Sequence, residues 1–408
     1  MLDQVLAGIS VGQRVTKVHL RWVWAVVAAG VLVFVSVRSA GPGLLDLGVY
    51  LEGGRTWRSG ADLYGPDFQG PGGLPFTYPP FAALLFSGLT PLPLPVSAVL
   101  FTAAGIALFT AACHTAALGK TTVPWAGFGL AAVCLLLEPL RGSIGLGQIN
   151  MVLIGLVVAD CLLPRTPWPR GVLVGLAAAI KLTPAIFVLF FLARGRWRPA
   201  LTAVGTFAAA GMVGWVLAPA QSQQFWFHAM LDPGRVGGLA YSANQSLKGL
   251  LFRLGAPEPV WLVLCAVVLA TTLFLLPRLR DDLTAVSAVA ATGLLISPVS
   301  WSHHWLWIAP ALLLLKNPVW VAAVFAVGPH WFLPTAGDKE LAWTWWQHLI
   351  GNSYVWLALA FLGWCAIQAR RHRSPGPGDV GDRDGYLVTG AGSLASNARA
   401  FRTMSASS

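Results

Sequence analysis

Long apolar segments recur along the chain and are separated by polar breaks. They are continuous and lack the two-residue alternation of membrane β-strands, and several approach the about 20 residues that a helix needs to cross a bilayer. The pattern therefore predicts an all-α polytopic integral membrane protein of about 12 transmembrane helices. The apolar runs are 22–37, 80–92, 95–118, 122–138, 149–163, 171–191, 199–218, 260–277, 283–298, 304–316, 319–333 and 354–368.

Two of the polar breaks are much longer than the others, at residues 39–79 and 219–257. Loops of this length are uncommon unless they have a function. The turn that carries Arg194, Arg196 and Arg198 is expected inside, because cytoplasmic loops are enriched in basic residues. The two long loops then lie outside, and short interfacial helices would account for the first of them.

The same charge bias predicts the domain organisation. Basic residues precede the first apolar run and follow the last one, which places both termini in the cytoplasm. We expect a cytoplasmic N-terminal segment at 1–21, a membrane domain at 22–373 and a disordered cytoplasmic tail at 374–408. The predicted location is the plasma membrane.

The composition changes the interpretation of the positive charge. The chain has 408 residues, of which 56% are hydrophobic and 11% charged, with a net charge of +11. A soluble domain carries about 25% charged residues. The excess of cations fits the inside bias of a membrane protein, so membrane lipids rather than nucleic acid are the expected partners.

Polar groups interrupt two of the apolar runs. Lys181-Leu182-Thr183-Pro184 lies inside one run, and Gly147-Gln148-Ile149-Asn150 begins another. A proline beside a lysine indicates a broken or kinked helix that lines a cavity. Alternatively, Lys181 extends its stem to reach headgroups, and Gln148 and Asn150 form hydrogen bonds between helices.

The predicted outer face collects a carboxylate and several cations. Asp46 follows the first apolar run, while His303, His304, Lys181 and Lys248 are candidates to hold a phosphate. Transfer of a sugar from a lipid phosphate to a hydroxyl needs both types of group, because a base takes the acceptor proton and cations stabilise the departing phosphate. A single base suits direct displacement with inversion. The alternatives are that Asp46 caps a short helix and that the histidines bond to backbone or headgroups.

Aromatic residues at the same face are candidates to stack on sugar rings, although aromatic anchoring at the membrane interface is the alternative. These candidates are Tyr50, Trp57, Tyr78 and Trp226. Asp62 and Asp67 lie five residues apart without a nearby histidine, so we expect no metal site.

Several short motifs occur in a fixed order and together resemble glycosyltransferase family 87, the polytopic GT-C enzymes that use polyprenyl-phosphate sugars. The resemblance runs from about residue 20 to 370. The motifs are Asp46-Leu47-Gly48-Val49-Tyr50, Tyr78-Pro79-Pro80, Gly147-Gln148-Ile149-Asn150, Lys181-Leu182-Thr183-Pro184, Asn244-Gln245-Ser246 and His303-His304-Trp305.

The resemblance implies a GT-C-like bundle with two long extracytoplasmic loops and an outward-facing site whose essential acid is Asp46. It implies no cofactor or metal, a polyprenyl-phosphate mannose donor, and a glycolipid acceptor of the phosphatidylinositol mannoside or lipomannan type, extended through an α-1,2 linkage. Asn244 and Gln245 are acceptor- or sugar-binding candidates. A related branch resembles arabinofuranosyltransferases, and the residues do not distinguish the two sugars.

Two other classes share the polytopic pattern. A secondary transporter would show inverted repeats and ionisable groups near the membrane midplane, whereas the charges here crowd one face. A membrane acyltransferase would rely on a buried histidine, for which His303 and His304 are available. In an acyltransferase of this kind, Asp46 would have no catalytic role.

Overall fold

A computed structural model describes residues 44–335 and 337–371 of the chain. The predicted N-terminal segment 1–21, the first apolar run 22–37 and the predicted tail 374–408 lie outside these residues.

The described part of the chain is built from α-helices, most of which coincide with the predicted apolar runs. They are α1 (Leu45–Ser59), α2 (Pro80–Ser87), α3 (Leu94–Ala117), α4 (Ala126–Cys134), α5 (Glu138–Leu146), α6 (Asn150–Leu162), α7 (Val172–Ile180), α8 (Val188–Ala193), α9 (Trp197–Leu217), α10 (Pro219–Phe227), α11 (Leu247–Arg253), α12 (Glu258–Leu275), α13 (Asp282–Ile296), α14 (Ile308–Leu312), α15 (Val319–Val327), α16 (Trp345–Gly351) and α17 (Ser353–Arg371).

Short 3₁₀-helices connect several of these elements, and residues 44–335 and 337–371 contain no β-strand beyond one isolated antiparallel bridge between Asn244 and Trp301. The 3₁₀-helices are Pro71–Gly73, Thr183–Phe187, Ala229–Leu231, Pro233–Val236, Leu276–Arg278, Ser302–Trp307, Pro329–Phe332 and Lys339–Ala342. The expected all-α class is therefore confirmed for these residues.

Three of the described helical segments are long and apolar enough to cross a membrane: Leu94–Ala117, Trp197–Leu217 and Glu258–Arg278. The number rises to five if each of two bent pairs crosses as one span. The bend is 71° between α4 and α5 and 69° between α16 and α17. The larger helix count expected from the sequence stays a prediction.

Helix α1 occupies most of the first long break and packs on α2. Its buried face carries Leu47, Tyr50 and Leu51. The end of α5 approaches it closely, because a Cβ added at Gly147 would lie 2.7 Å from the Cβ of Leu47. Gly147 also has a φ of +69°, which favours glycine. This contact brings the start of α1, with Asp46, beside Gln148.

The apolar run 171–191 is broken at Lys181, as the sequence predicted. Helix α7 ends at Ile180, Lys181 has extended backbone angles (φ −146°, ψ 129°), and a 3₁₀-helix begins at Thr183. Pro184 lies in the first turn of that 3₁₀-helix, where the missing amide proton costs nothing. The side chain of Lys181 is thus presented at the end of a helix rather than along its side.

The other end of α7 is fixed by a buried carboxylate. Oδ2 of Asp160 accepts hydrogen bonds from the backbone amides of Gly171 and Val174, each at 2.9 Å, and Oδ1 accepts one from the indole of Trp168 at 3.2 Å. These bonds satisfy amides that a helix N-terminus leaves without partners. Helix α7 also packs along α9, so both its direction and its end point at Lys181 are determined.

We expect Asp160→Ala to lower the free energy of unfolding by about 1–3 kcal/mol, because two buried backbone amides and the half-buried indole of Trp168 lose their acceptor. Thermal unfolding of the purified protein in detergent measures this. Asp232→Ala is the matched control, because its exposed side chain accepts, among residues 44–335 and 337–371, only from the Gly234 amide and the substitution should therefore cost less. Equal losses in the two variants would contradict the role given to Asp160.

Candidate active site

A cavity of about 500 Å³ opens between the start of α1, the break after α7, the segment 235–243 and residues 301–304. Five residues singled out from the sequence line it: Asp46, Tyr78, Lys181, His303 and His304. They come from four separate parts of the chain, so the fold brings the predicted carboxylate and three of the four predicted phosphate-binding groups to one place.

Asp46 is in the first turn of α1 but is not its N-cap, which is Leu44 with a left-handed backbone (φ 60°). The alternative that Asp46 is a capping residue is therefore wrong. Burial raises the pKa of Asp46 above its ordinary value, while a hydrogen bond from Gln148 and the charge of Lys181 act in the opposite direction.

Lys181 is held from two sides. Its Nζ lies 3.2 Å from Oδ1 of Asn150 and 3.2 Å from Nε2 of His304, and 5.5 Å from the centre of the Tyr78 ring. The amide of Asn150 donates to the His303 carbonyl at 3.2 Å, so one residue connects the lysine with the backbone of the histidine pair. Lys181 lines the cavity, and the residues that hold its ammonium group, Asn150 and His304, belong to two other motifs selected from the sequence.

The two histidines line the cavity as neutral imidazoles. Burial and the adjacent charge of Lys181 lower the pKa of His303 to about 3 and also lower the pKa of His304 well below its usual value. The sequence-based expectation that they supply positive charge is not supported by these surroundings. They can still donate or accept hydrogen bonds, and Nε2 of His303 is buried without a partner among the described residues.

Tyr50 supports the wall of the cavity instead of lining it. Its hydroxyl lies 2.8 Å from that of Tyr78 and donates to Oε1 of Gln148 at 3.0 Å. Its ring is fully buried and stacks on Phe86 at 4.5 Å between centroids. No face of Tyr50 is left for a sugar ring, whereas Tyr78 does reach the cavity.

The structure does not bring the remaining sequence candidates to the cavity. Nζ of Lys248 lies 2.5 Å from Glu258 and 4.1 Å from the centre of the Trp261 ring. Trp57 and Trp226 pack on the hydrophobic core, with Trp226 edge-on to Phe225. None of these residues lines the cavity.

Asn244 and Gln245 are fully buried and organise the backbone of the cavity wall. Oδ1 of Asn244 accepts from the Ser300 amide at 3.1 Å, and Gln245 donates to the Ser242 and Gly351 carbonyls at 2.8 and 2.6 Å. These two residues of the Asn244-Gln245-Ser246 motif therefore have a structural role: they join the segment before α11 to the residues around Trp301.

Sequence reasoning missed a second carboxylate in the cavity, Glu138 at the start of α5. It accepts hydrogen bonds from Ser302 (2.7 Å), Trp331 (3.1 Å) and Tyr354 (3.0 Å). The feature of the sequence that could have identified Glu138 is its position as a single acid at the end of an apolar run, just before Pro139. Arg235 and three aromatic residues, Tyr241, Trp301 and Trp331, complete the polar and aromatic wall.

Two apolar spaces lead away from the polar cavity. A narrow crevice of about 60 Å³ shares Lys181 and His304 with it and is otherwise lined mainly by apolar side chains of α6, α13 and the 3₁₀-helix after Lys181. Leu294 and Trp307 in turn belong both to this crevice and to a wider groove of about 240 Å³ between α13, α14, α15 and α17. Lys181 and His304 therefore lie where polar and apolar surroundings meet.

The sequence profile of glycosyltransferase family 87 matches residues 76–298. A "polyprenol-phosphate-mannose-dependent alpha-(1-2)-phosphatidylinositol mannoside mannosyltransferase" of Mycobacterium tuberculosis is 37% identical, over 87% of this chain and 91% of that protein. A protein of the same name from Mycolicibacterium smegmatis is 38% identical over 79% of this chain and 83% of its own length.

A more distant relative is an "alpha-(1->3)-arabinofuranosyltransferase" of Corynebacterium glutamicum, 24% identical over 57% of this chain and 61% of that protein. No solved structure matches the chain.

We expect Glu138→Ala to reduce the free energy of unfolding by about 1–3 kcal/mol, because it leaves the buried hydroxyls of Ser302 and Tyr354 and the more exposed indole of Trp331 without their acceptor. Glu138→Gln should cost less, since its amide oxygen can still accept. The midpoint of thermal unfolding measures both. Glu52→Ala, which removes only a partly exposed ion pair with Arg55, serves as the control. A Glu138→Ala protein as stable as that control would rule out the structural part of this assignment.

Proposed function

The chain belongs to glycosyltransferase family 87, and from that membership we propose that it transfers mannose from polyprenyl-phosphate mannose to a hydroxyl of a phosphatidylinositol mannoside through an α-1,2 linkage. The observation that carries the proposal is the cavity that joins Asp46 to Lys181, His303 and His304. A transfer of this kind needs a base for the acceptor and donors for a departing phosphate. Both are present on its walls.

Asp46 is the proposed general base. It accepts the proton of the acceptor hydroxyl while that oxygen forms a bond to C1 of mannose. The bond between C1 and the phosphate oxygen breaks, and its electron pair leaves with the polyprenyl phosphate. Attack from the face opposite the phosphate inverts C1, which requires one base and no covalent sugar–enzyme intermediate.

Lys181 and His304 are the proposed ligands of the donor phosphate. They lie at the junction between the polar cavity and the apolar crevice, so a phosphate bound beside them has its sugar on the polar side and its isoprenoid chain on the apolar side. The ammonium supplies charge, and the neutral imidazoles of His303 and His304 supply hydrogen bonds. The groove beyond Leu294 and Trp307 offers the chain a route to the bilayer.

Tyr78 and the aromatic residues Tyr241, Trp301 and Trp331 are the proposed sugar-facing surface, since they line the cavity. The aromatic faces suit the apolar side of a pyranose ring, and nearby polar groups suit its hydroxyls. Tyr50, Asn244 and Gln245 have supporting roles in this proposal.

The proposed site faces the outside of the plasma membrane, with both chain termini in the cytoplasm. The excess of basic residues in the predicted inner turns supports this orientation. Mannose is preferred over arabinofuranose because the mannosyltransferases named above match a larger share of the chain than the arabinofuranosyltransferase does. A transporter is a poorer alternative, since the family is one of transferases.

We expect Asp46→Asn to lower the rate of mannose transfer by about 100-fold or more while leaving donor binding unchanged, because the substitution preserves shape and removes the base. The assay follows labelled mannose from polyprenyl-phosphate mannose into phosphatidylinositol mannosides in membranes that contain the protein. Asp67→Asn, at an exposed acid of the same loop, should transfer at the wild-type rate. Wild-type activity in the Asp46→Asn protein would falsify the assignment of the base.

The pH profile should reveal the influence of Lys181 on Asp46. The base must be deprotonated, so activity falls as the pH drops through its raised pKa, and the acid limb of kcat/KM should lie above the ordinary value of 3.8. Removing the charge in Lys181→Met should move this limb to higher pH. Lys181→Arg, which keeps the charge, should move it less.

Lys181→Met also removes a proposed phosphate ligand, and that loss lowers the rate at every pH. The position of the acid limb therefore reports separately on the effect of the Lys181 charge on the pKa of Asp46. A Lys181→Met protein whose limb coincides with that of the wild type would show that the lysine does not act on the base.

A further inference from the structure

Arg235 lies in a short helical turn over the cavity. The 3₁₀-helix Pro233–Val236 begins after Asp232, whose side chain accepts from the Gly234 amide at 2.9 Å. It ends at Gly237, which has a φ of 125°. A Cβ at Gly237 would lie 2.9 Å from the Trp301 ring, so the turn rests directly on the opposite wall. The guanidinium of Arg235 contributes to the lining of the cavity from this position.

Nε and Nη2 of Arg235 are buried and have no hydrogen-bond partner within residues 44–335 and 337–371. Nε of Arg253 and Nε of Arg278 are also buried without a partner among these residues, but in Arg235 a terminal nitrogen on the same edge is unpaired as well. The terminal nitrogens of several other arginines in the described residues donate to protein groups. Arg194 donates to the Asp282 carboxylate at 2.7 Å and to two carbonyls, and Arg253 donates to three carbonyls and to Asn352. Because buried donors are normally paired, the two nitrogens of Arg235 call for an acceptor other than the described residues.

The identity of the two nitrogens indicates the chemistry of that acceptor. Nε and Nη2 form one edge of the planar guanidinium, and this edge can donate two parallel hydrogen bonds to two oxygens of one anion. Phosphate oxygens have this geometry and charge. Neither carboxylate of the cavity, Asp46 or Glu138, forms an ion pair with Arg235 in the described residues.

We propose that Arg235 binds a phosphodiester of a substrate lipid through this edge. The inference rests on the proposed function, because that reaction brings two lipids with a phosphodiester to the cavity. One is the donor, in which phosphate joins the sugar to the isoprenoid chain, and the other is the phosphatidyl group of the acceptor. Arg235 is thus a binding residue that acts on the affinity for one of these lipids.

The test is steady-state kinetics of Arg235→Gln and Arg235→Lys, with polyprenyl-phosphate mannose as donor and two acceptors. One acceptor is a phosphatidylinositol mannoside, and the other is an alkyl mannoside, which has no phosphate. Arg235→Gln should raise one KM by about tenfold or more with little change in kcat. Arg235→Lys, which keeps the charge without the planar edge, should recover part of the loss.

The two acceptors identify the source of the phosphate. A higher donor KM with both acceptors assigns Arg235 to the donor. A higher KM for the phosphatidylinositol mannoside, with an unchanged KM for the alkyl mannoside and for the donor, assigns it to the acceptor. Unchanged KM values for all three substrates, or a fall in kcat alone, overturn the proposal.

Two controls separate this test from the stability of the protein and from the proposed function. Arg55→Gln removes an exposed arginine from α1 and should have wild-type kinetics, and the midpoint of thermal unfolding reports whether Arg235→Gln is folded. A wild-type protein that transfers no mannose would refute the proposed function. Failure of the Arg235 inference instead leaves wild-type transfer intact, with KM values that do not respond to the substitution.

Discussion

The carboxylate of Asp46 and the ammonium group of Lys181 line one cavity. Both are largely shielded from solvent, and the fold has to keep them close enough to stabilise each other. An isolated buried charge is costly, and an opposite charge nearby offsets part of that cost. Asp46 and Lys181 come from different elements, the start of α1 and the break after α7. Their electrostatic interaction therefore depends on everything that fixes those two ends.

Several unrelated features serve this one requirement. Asp160 fixes the beginning of α7, the helix whose other end is followed by Lys181. Gly147 allows α5 to approach α1 and brings Gln148 to the acid. Asn150 connects the lysine to the backbone of His303. The polar motifs that interrupt apolar runs are thus parts of one assembly, in which Gln148 and Asn150 form the hydrogen bonds between elements that the alternative interpretation predicted.

The sequence was sufficient to predict features that depend on local order. The apolar runs predicted most helices, and a proline beside a lysine predicted the break at Lys181. It also selected Asp46, His303 and His304 for one site, and the cavity contains all three. These residues interrupt strongly apolar surroundings, which makes them visible along the chain.

Properties that depend on tertiary neighbours were not predictable in this way. Tyr50 is covered by Phe86, and Lys248 pairs with Glu258, although nothing in their own segments distinguishes them from residues that face a cavity. The neutrality of the histidines follows from burial beside Lys181. Glu138 and Arg235 reach the cavity from elements distant in sequence, so their shared location became apparent only in the folded chain.

The narrowness of the crevice beside Lys181 bears on how the protein would treat the tail of an isoprenoid lipid. A space of about 60 Å³ can accommodate only the few carbons nearest the phosphate, and the wider groove past Leu294 and Trp307 is lined mainly by apolar side chains. A donor bound as proposed contacts the protein mainly through its head and first isoprene unit, while the rest of the tail extends through the groove toward the lipid. Carriers that differ in overall length, but share the same first unit, are then equivalent to the enzyme.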